Sequence, residues 1–279
     1  MASDLFIDSA PRLKLIARIG VGVDRVDLHA ATERGIFVTN NPAPTADTVS
    51  EFTLALLLGL AKNIPSADRA VKEGGWVAGK ERATYDNVEL SGKTHGVVGM
   101  GEIGCRVAAV CKALGMRVLY YRRTRNAQFE RLLGVEYATF DKLIRESDTI
   151  SIHTPLTDET RSLFDTPQFE AMKRTALLIN QSRGQVVNEE ALLRALKEGK
   201  IGGYATDVYA KEPPDPNGEL FKLKNVIVAA HVGGLSREAG LRYSMNIAEA
   251  VIAVAKGAAP NNLVNRDVLN KAGSHHGAS

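Results

Sequence analysis

Cysteine is scarce: the 279-residue chain has two, Cys105 and Cys111. They lie six residues apart in one predicted helix, where they do not face each other closely enough for a disulfide bond. We therefore expect reduced thiols and, as the default for such a protein, a cytoplasmic location. No metal site is predicted.

A charge excess of one sign is also missing, because the formal net charge is only +3. This balance gives no reason to expect a nucleic acid or a membrane surface as partner. No long hydrophobic run is present either: the apolar segment 53–61 is far shorter than the roughly 20 residues that a membrane span needs. Hydrophobic residues at 44% and charged residues at 24% are typical of a soluble globular protein.

Glycine, in contrast, recurs at a definite spacing in residues 93–121. A short apolar strand is followed by a G-x-G-x-x-G turn, a helix that ends at Gly115, and a second apolar strand. On their own the three glycines would be weak evidence for dinucleotide binding. A strand, tight turn, helix and strand in this order, however, hold a pyrophosphate at the helix N-terminus. The predicted dinucleotide contacts are the residues of this turn: Gly99, Met100, Gly101, Glu102, Ile103 and Gly104.

Strands and helices alternate from residue 96 onwards. Strands are predicted near 96–98, 117–121, 149–152, 176–180, 203–207 and 226–229, and helices near 102–114, 139–146, 166–172 and 188–198. This alternation predicts a Rossmann-type, doubly wound parallel sheet in an α/β protein. Two further strands, 13–19 and 36–39, and long helices at 47–62 and 237–256 complete the pattern.

We predict two α/β domains from these elements. The dinucleotide-binding domain comprises residues 43–234. The smaller substrate domain is discontinuous and comprises residues 1–42 and 235–279. Residues 40–44, rich in asparagine and proline, are interpreted as a loop-like hinge.

Three side chains suited to catalysis follow predicted strands: Arg183, Glu212 and His231. Each alone is more simply a surface cation, a solvated acid or a strand-end histidine. Ligands of open parallel sheets bind beyond the carboxyl ends of the strands, so together the three indicate one functional crevice.

Ordered motifs now make the chain recognisable, among them IGVGVDRVDLHAATERGIFVTNNP, HTPLTDETRSLF, QSRGQVVNEEALLRALKEGKIGGYATDVYAKEPP and HVGGLSREA. From about residue 5 to residue 265 the sequence resembles the D-isomer-specific 2-hydroxyacid dehydrogenases, the family of phosphoglycerate dehydrogenase, glyoxylate reductase and hydroxypyruvate reductase. The resemblance implies a D-specific oxidoreductase that transfers a hydride between a nicotinamide cofactor and a small 2-keto or 2-hydroxy acid.

The resemblance also implies roles for single residues. Arg183 matches the arginine that binds the substrate carboxylate and keto oxygen, and His231 matches the general acid and base. Glu212 matches the carboxylate that orients this histidine. Val21 and Gly22 match part of the substrate-carboxylate cradle. The remaining cofactor contacts that it implies are Thr154, Pro155, Asp207 and Gly233.

Two single residues depart from the family pattern. Ala230 stands before His231 where proline is usual, which we expect to loosen the local backbone. His95 stands where an apolar residue is usual, and we interpret it as a half-buried histidine at a strand edge.

The end of the second strand of the dinucleotide unit indicates which cofactor is used. NAD-binding proteins of this fold place an acid there for the ribose 2′-hydroxyl. Here the segment reads Tyr121, Arg122, Arg123, Thr124, Arg125, with no acid before Glu130. We predict a preference for NADP(H), with NAD(H) possible, through Arg122, Arg123 and Thr124; a solvated basic loop is the alternative.

The resemblance carries two further expectations. In the family the helical arm at residues 49–72 packs against a two-fold partner, which implies a homodimer through the dinucleotide-binding domain. The family also has a strand-helix-strand unit before the segment that opens here, and residues 1–12 are too few to contain such a unit. We therefore expect the chain to bind NADP(H) and to dimerise, but to turn over small keto acids poorly, because one wall of the substrate pocket would be missing. The rival function is a nucleotide-sensing binding protein, or a catalytically weakened fragment, related to the C-terminal binding protein corepressors.

Overall fold

The computed structural model describes residues 7–76 and 87–272. Within these ranges the elements follow in this order: β1 (Leu15–Ala17), α1 (Leu28–Glu33), β2 (Phe37–Thr39), α2 (Pro42–Ala61), α3 (Ile64–Lys72), β3 (Thr94–Val98), α4 (Glu102–Ala113), β4 (Arg117–Tyr121), α5 (Ala127–Leu133), β5 (Glu136–Tyr137), α6 (Phe140–Glu146), β6 (Thr149–Ile152), α7 (Thr166–Ala171), β7 (Leu177–Asn180), α8 (Glu189–Lys197), β8 (Gly203–Thr206), β9 (Val226–Val228), α9 (Arg237–Ala255) and α10 (Val268–Ala272). Short 3₁₀ helices occupy Gly184–Val186 and Glu219–Lys222.

The chain divides into two compact units, residues 1–48 with 234–279, and residues 49–233. The first boundary, between residues 48 and 49, falls within α2, whereas the sequence predicted it between residues 42 and 43. The second boundary, between residues 233 and 234, lies one residue before the predicted one between 234 and 235. The assignment of one unit to the substrate and the other to the cofactor stays a prediction.

The smaller unit contains the parallel strands β1 and β2, in which Leu15 is paired with Phe37. Ile7, Ala31 and Val38 are buried in its apolar core. Asn265 joins the C-terminal segment to this sheet, because its side chain accepts a hydrogen bond from the Val38 amide at 2.8 Å and donates to the Ile36 carbonyl at 2.9 Å. Residues 1–6 and 273–279 lie outside the described residues.

The larger unit is built on a seven-stranded sheet in the order β5-β4-β3-β6-β7-β8-β9. Every pair of neighbours is parallel. Apolar side chains of α6, α7 and α8 cover one face, and those of α2 and α4 cover the other. The predicted Rossmann-type, doubly wound α/β fold is therefore confirmed.

The predicted hinge at residues 40–44 is wrong in its second half, because α2 begins at Pro42. Pro42 and Pro44 occupy the first turn of the helix, where the missing amide hydrogen costs nothing and the fixed φ suits the helix. Of the α-helices and strands, α5, β5 and α10 were not predicted.

The interpretation of His95 as a half-buried edge residue is also wrong. It is fully buried on β3, which has paired strands on both sides. Its ring nitrogens lie 2.7 Å from Thr149 Oγ1 and 3.0 Å from Ser151 Oγ, both on β6. Ser151 also lies 2.9 Å from Nε2 of His153. Burial lowers the pKa of His95 to about 4 and that of His153 to about 3, so both rings are neutral at physiological pH.

Candidate active site

The glycine turn joins β3 to α4. Gly99 has φ +99°, a left-handed conformation that glycine adopts without strain. A Cβ on Gly104 would lie 2.4 Å from the Gly99 carbonyl oxygen, so only glycine allows α4 to approach the turn this closely. Gly101 caps α4 without a side chain, and a Cβ there would meet no atom within 4 Å. The helix N-terminus therefore faces open space of the kind that a pyrophosphate fills.

The remaining residues of the turn contribute mainly through their backbones. The Met100 side chain is buried at 2% exposure in the apolar core, and Ile103 packs against the same core. The Glu102 carboxylate points to solvent and lies 3.9 Å from the Arg106 guanidinium, one helical turn on. A negative charge on the turn itself is thus partly compensated.

The glycine turn lies at the point where the strand order reverses, between β3 and β6. A Cβ on Gly99 would lie 2.7 Å from the His153 carbonyl carbon and from the Thr154 nitrogen. The loop that begins with Thr154 and Pro155 is therefore in direct contact with the glycine turn. Crevices at such reversal points are where doubly wound folds bind nucleotides.

Arg183 follows β7 in a turn that Asn180 organises. The Asn180 side chain accepts hydrogen bonds from the Ser182 amide and hydroxyl at 3.0 and 2.9 Å and donates to the Arg183 carbonyl at 3.0 Å. Gly184 follows, and a Cβ there would lie 2.0 Å from the Tyr209 carbonyl carbon. This contact brings the arginine turn against the loop that leads to Glu212. Sequence reasoning missed both Asn180 and Gly184, although a polar residue ending an apolar strand was a signal.

Glu212 and His231 form a pair at the ends of the adjacent strands β8 and β9. His231 Nδ1 lies 2.9 and 3.0 Å from the two carboxylate oxygens of Glu212. The Tyr209 amide donates to Glu212 Oε1 at 3.2 Å, which fixes the carboxylate. Because a carboxylate accepts only, Nδ1 carries the hydrogen and Nε2 is left for a ligand. The His231 side chain is 48% exposed.

The backbone around His231 is held on both sides. The Ala229 amide donates to the Thr206 carbonyl at 2.9 Å, and the Tyr209 hydroxyl donates to the Ala229 carbonyl at 2.6 Å. Asp207, 2% exposed, accepts from the Val232 and Gly233 amides at 2.9 and 2.7 Å. These bonds hold His231 at φ +55° without the usual preceding proline. Both Asp207 oxygens thus bind the histidine loop, a role that the sequence did not predict.

Comparison with known proteins now identifies the family. Residues 54–233 match the model of the D-isomer specific 2-hydroxyacid dehydrogenase, NAD binding domain. A glyoxylate reductase of Aeropyrum pernix is 45% identical over 266 residues, which cover 94% of this chain and 79% of that protein. A D-3-phosphoglycerate dehydrogenase of Archaeoglobus fulgidus is 45% identical over 259 residues, or 93% and 48% of the two chains.

The solved structure of the TT0316 protein from Thermus thermophilus has the same fold with a TM-score of 0.88 at 39% identity, over 94% of this chain and 82% of that one. The chain belongs to the D-isomer-specific 2-hydroxyacid dehydrogenase family. Membership confirms the resemblance drawn from the motifs and supports a nicotinamide dinucleotide as the cofactor.

The basic segment of this dehydrogenase begins where β4 ends, next to the glycine turn. The Gly99 amide donates to the Tyr121 carbonyl at 3.0 Å, which ties the two together. The Arg122 guanidinium lies over the Phe129 ring at 5.6 Å, and Arg123 and Thr124 are exposed.

Val21 and Gly22 lie in the smaller unit, in the loop after β1. Asn40 Nδ2 donates to the Val21 carbonyl at 2.9 Å, and Arg18 Nε donates to the Gly22 carbonyl at 3.3 Å. Within residues 7–76 and 87–272 no acceptor is found for the two amide hydrogens. The loop thus presents backbone donors of the type that binds a carboxylate.

Among the described residues, no group of three or more histidine, cysteine, aspartate or glutamate side chains is placed to hold a metal ion. None of the described helices is both long and apolar enough to span a membrane.

Proposed function

We propose that this chain is an NADP(H)-dependent D-2-hydroxyacid dehydrogenase that reduces a small 2-keto acid, glyoxylate or hydroxypyruvate. The observation that carries the proposal is the Glu212–His231 pair at the edge of a sheet that also bears the glycine turn. Enzymes named glyoxylate reductase among the relatives support the substrate class. The comparisons do not favour a binding protein of the corepressor type.

The protein residues provide position, charge and one proton in the proposed reaction. When bound, the nicotinamide supplies the hydride. Arg183 binds the substrate carboxylate through its planar guanidinium, which orients the keto carbon. His231 donates the proton at Nε2 to the keto oxygen, while Glu212 holds the Nδ1 hydrogen and stabilises the imidazolium. In the oxidative direction His231 takes the proton back.

The preference for NADP(H) rests on the composition of the segment after β4. Arg122 and Arg123 bring positive charge, and Thr124 a hydroxyl, to the place where NAD-specific proteins have an acid. The first acid along the chain, Glu130, is bound to Arg125 at 2.7 Å and does not compete for the ribose. Charge-assisted hydrogen bonds to a 2′-phosphate are worth about 1.5–3 kcal/mol each.

A homodimer formed through the dinucleotide-binding unit is part of the proposal. Helix α3, in the arm formed by α2 and α3, presents large apolar side chains to solvent, with Ile64 54% and Val71 55% exposed, and Trp76 after the helix is 64% exposed. Exposed apolar side chains gathered on one element are typical of an interface. We also propose a cytoplasmic location, which the two free cysteines support.

The test is a turnover assay with glyoxylate and hydroxypyruvate on the purified chain and on His231→Ala. We expect the parent to reduce at least one of the two keto acids with NADPH at a rate measurably above that without protein. The variant should lose about 10²- to 10⁴-fold in kcat while its affinity for the cofactor stays the same. Absence of turnover by the parent with normal cofactor binding would favour the nucleotide-sensing protein instead.

A further inference from the structure

Three side chains link the basic loop, residues 122–125, to helix α5. The proposed reaction gives these three side chains no role. Arg125 Nε and Nη2 donate to the two oxygens of Glu130 at 2.8 and 2.7 Å. The hydroxyl of Tyr120, a residue of β4, donates to the same carboxylate at 2.9 Å. We name these residues, Tyr120, Arg125 and Glu130, the loop clamp.

The loop clamp also fixes the backbone of the loop. The Tyr120 hydroxyl accepts from the Asn126 amide at 3.0 Å and lies 3.2 Å from the Asn126 carbonyl. The Asn126 side chain then caps α5 by accepting from the Gln128 amide at 3.0 Å. Residues 122–125 are therefore held between the end of β4 and the start of α5. Side chains in a loop with both ends bound lose little entropy when a ligand arrives.

Within the loop clamp, the charges of Arg125 and Glu130 neutralise each other. The hydrogen bonds from Arg125 lower the pKa of Glu130 to about 2, so the carboxylate is ionised at any physiological pH and the pair has no net charge. Arg122 lies over the Phe129 ring, which leaves the edges of its guanidinium for hydrogen bonds. Within the described part of the chain, no ion pair holds Arg123, and it is exposed.

We propose that Tyr120, Arg125 and Glu130 are positioning residues for recognition of the adenosine 2′-phosphate. Arg125 itself does not bind the phosphate. It binds Glu130, keeps this acid away from the ribose and fixes the loop so that Arg122, Arg123 and Thr124 face the phosphate. The inference rests on the proposed NADP(H) preference and adds the residues that produce it.

The experiment measures binding of adenosine 2′,5′-bisphosphate and adenosine 5′-monophosphate to the full chain by calorimetry. Tyr120→Phe removes the hydroxyl without changing the charge, so we expect about five-fold weaker binding of the bisphosphate, the value of one hydrogen bond. Binding of the monophosphate should change less than two-fold. The melting temperature of each variant separates loss of the fold from loss of selectivity.

Glu130→Ala tests whether net charge or the loop clamp determines the affinity for the bisphosphate, because the two predict changes in opposite directions. Removing an acid and freeing a cation would tighten binding of a phosphate if charge alone mattered. The loop clamp predicts weaker binding of the bisphosphate, by about five-fold or more, because the loop is released. Arg131→Met is the matched control for Arg125→Met, since Arg131 is an exposed residue of α5 outside the clamp. We expect a clearly larger loss for Arg125→Met than for this control.

Two outcomes would overturn the inference in different ways. Tighter bisphosphate binding by Glu130→Ala, together with unchanged binding by Tyr120→Phe, would show that the clamp does not position the loop and would leave the NADP(H) preference intact. A parent protein that binds the bisphosphate no better than the monophosphate would overturn the preference and the clamp's role together.

Discussion

The buried ring of His95 on β3 predicts a specific loss of stability in acid. His95 is fully buried, and burial lowers its pKa from 6.5 to about 4. In the unfolded chain it takes up a proton near pH 6.5, and in the folded chain only near pH 4. Between these values the unfolded state binds more protons, so the free energy of unfolding falls as the pH falls.

The size of the effect follows from the pKa difference. One pKa unit corresponds to about 1.4 kcal/mol, so the His95 contribution falls by about 2 to 3 kcal/mol between pH 6.5 and pH 4.5. This is a large part of the roughly 5–15 kcal/mol that stabilises a typical domain. His153, whose pKa is lowered to about 3, adds a loss of the same sign over a window that extends further into acid.

The assay is urea unfolding followed by circular dichroism from pH 7 to pH 4.5, on the parent and on His95→Gln. The variant lacks the titrating ring, so its free energy of unfolding should fall by about 2 to 3 kcal/mol less over this range. His29→Gln removes an exposed histidine of α1 and serves as the control. Parallel pH curves for the parent and His95→Gln would refute the assignment of His95 as a neutral, buried ring.

Three further changes probe the site and the assembly. Glu212→Gln should lower kcat by about 100-fold or more, because an amide can donate to Nδ1 of His231, the proposed general acid, and favour the wrong tautomer; pre-steady-state rates check this. Gly101→Ala adds a Cβ that meets no atom within 4 Å, so the melting temperature of the variant should stay within roughly 3 °C of the parent's. Its affinity for NADPH should fall at least about ten-fold, because the added methyl group occupies the space proposed for the phosphates. Ile64→Glu should convert a dimer to a monomer in sedimentation, whereas Leu132→Glu, at another exposed apolar residue, should not; a dimer that survives the first change would place the interface elsewhere.

The sequence predicted the elements whose signals are local and strong. The G-x-G-x-x-G turn, the buried strands of the larger sheet and the long helices lie within a few residues of their expected positions. α5 was missed even though its ends carry ordinary signals, the cap Asn126 and the left-handed Gly134. Its seven residues are too few for helical periodicity to stand out, and its stability comes from contacts with the rest of the unit.

Non-local pairing explains what the sequence could not predict. His95 looked like an edge residue because nothing near it in the chain could satisfy a buried ring. Thr149 and Ser151, its partners, lie more than fifty residues away and reach it only through the register of β3 with β6. The same holds for Asp207, whose contacts with the His231 loop depend on the neighbouring strands β8 and β9.

The proposed activity is tested most directly by comparing kcat/KM for NADPH and NADH in the reduction of glyoxylate by the full chain. Charge-assisted contacts to a 2′-phosphate, worth about 1.5–3 kcal/mol each, predict a ratio of at least about ten in favour of NADPH. A ratio of one or less, with NADH used as well as or better than NADPH, would contradict the assignment of the segment after β4 as a 2′-phosphate site.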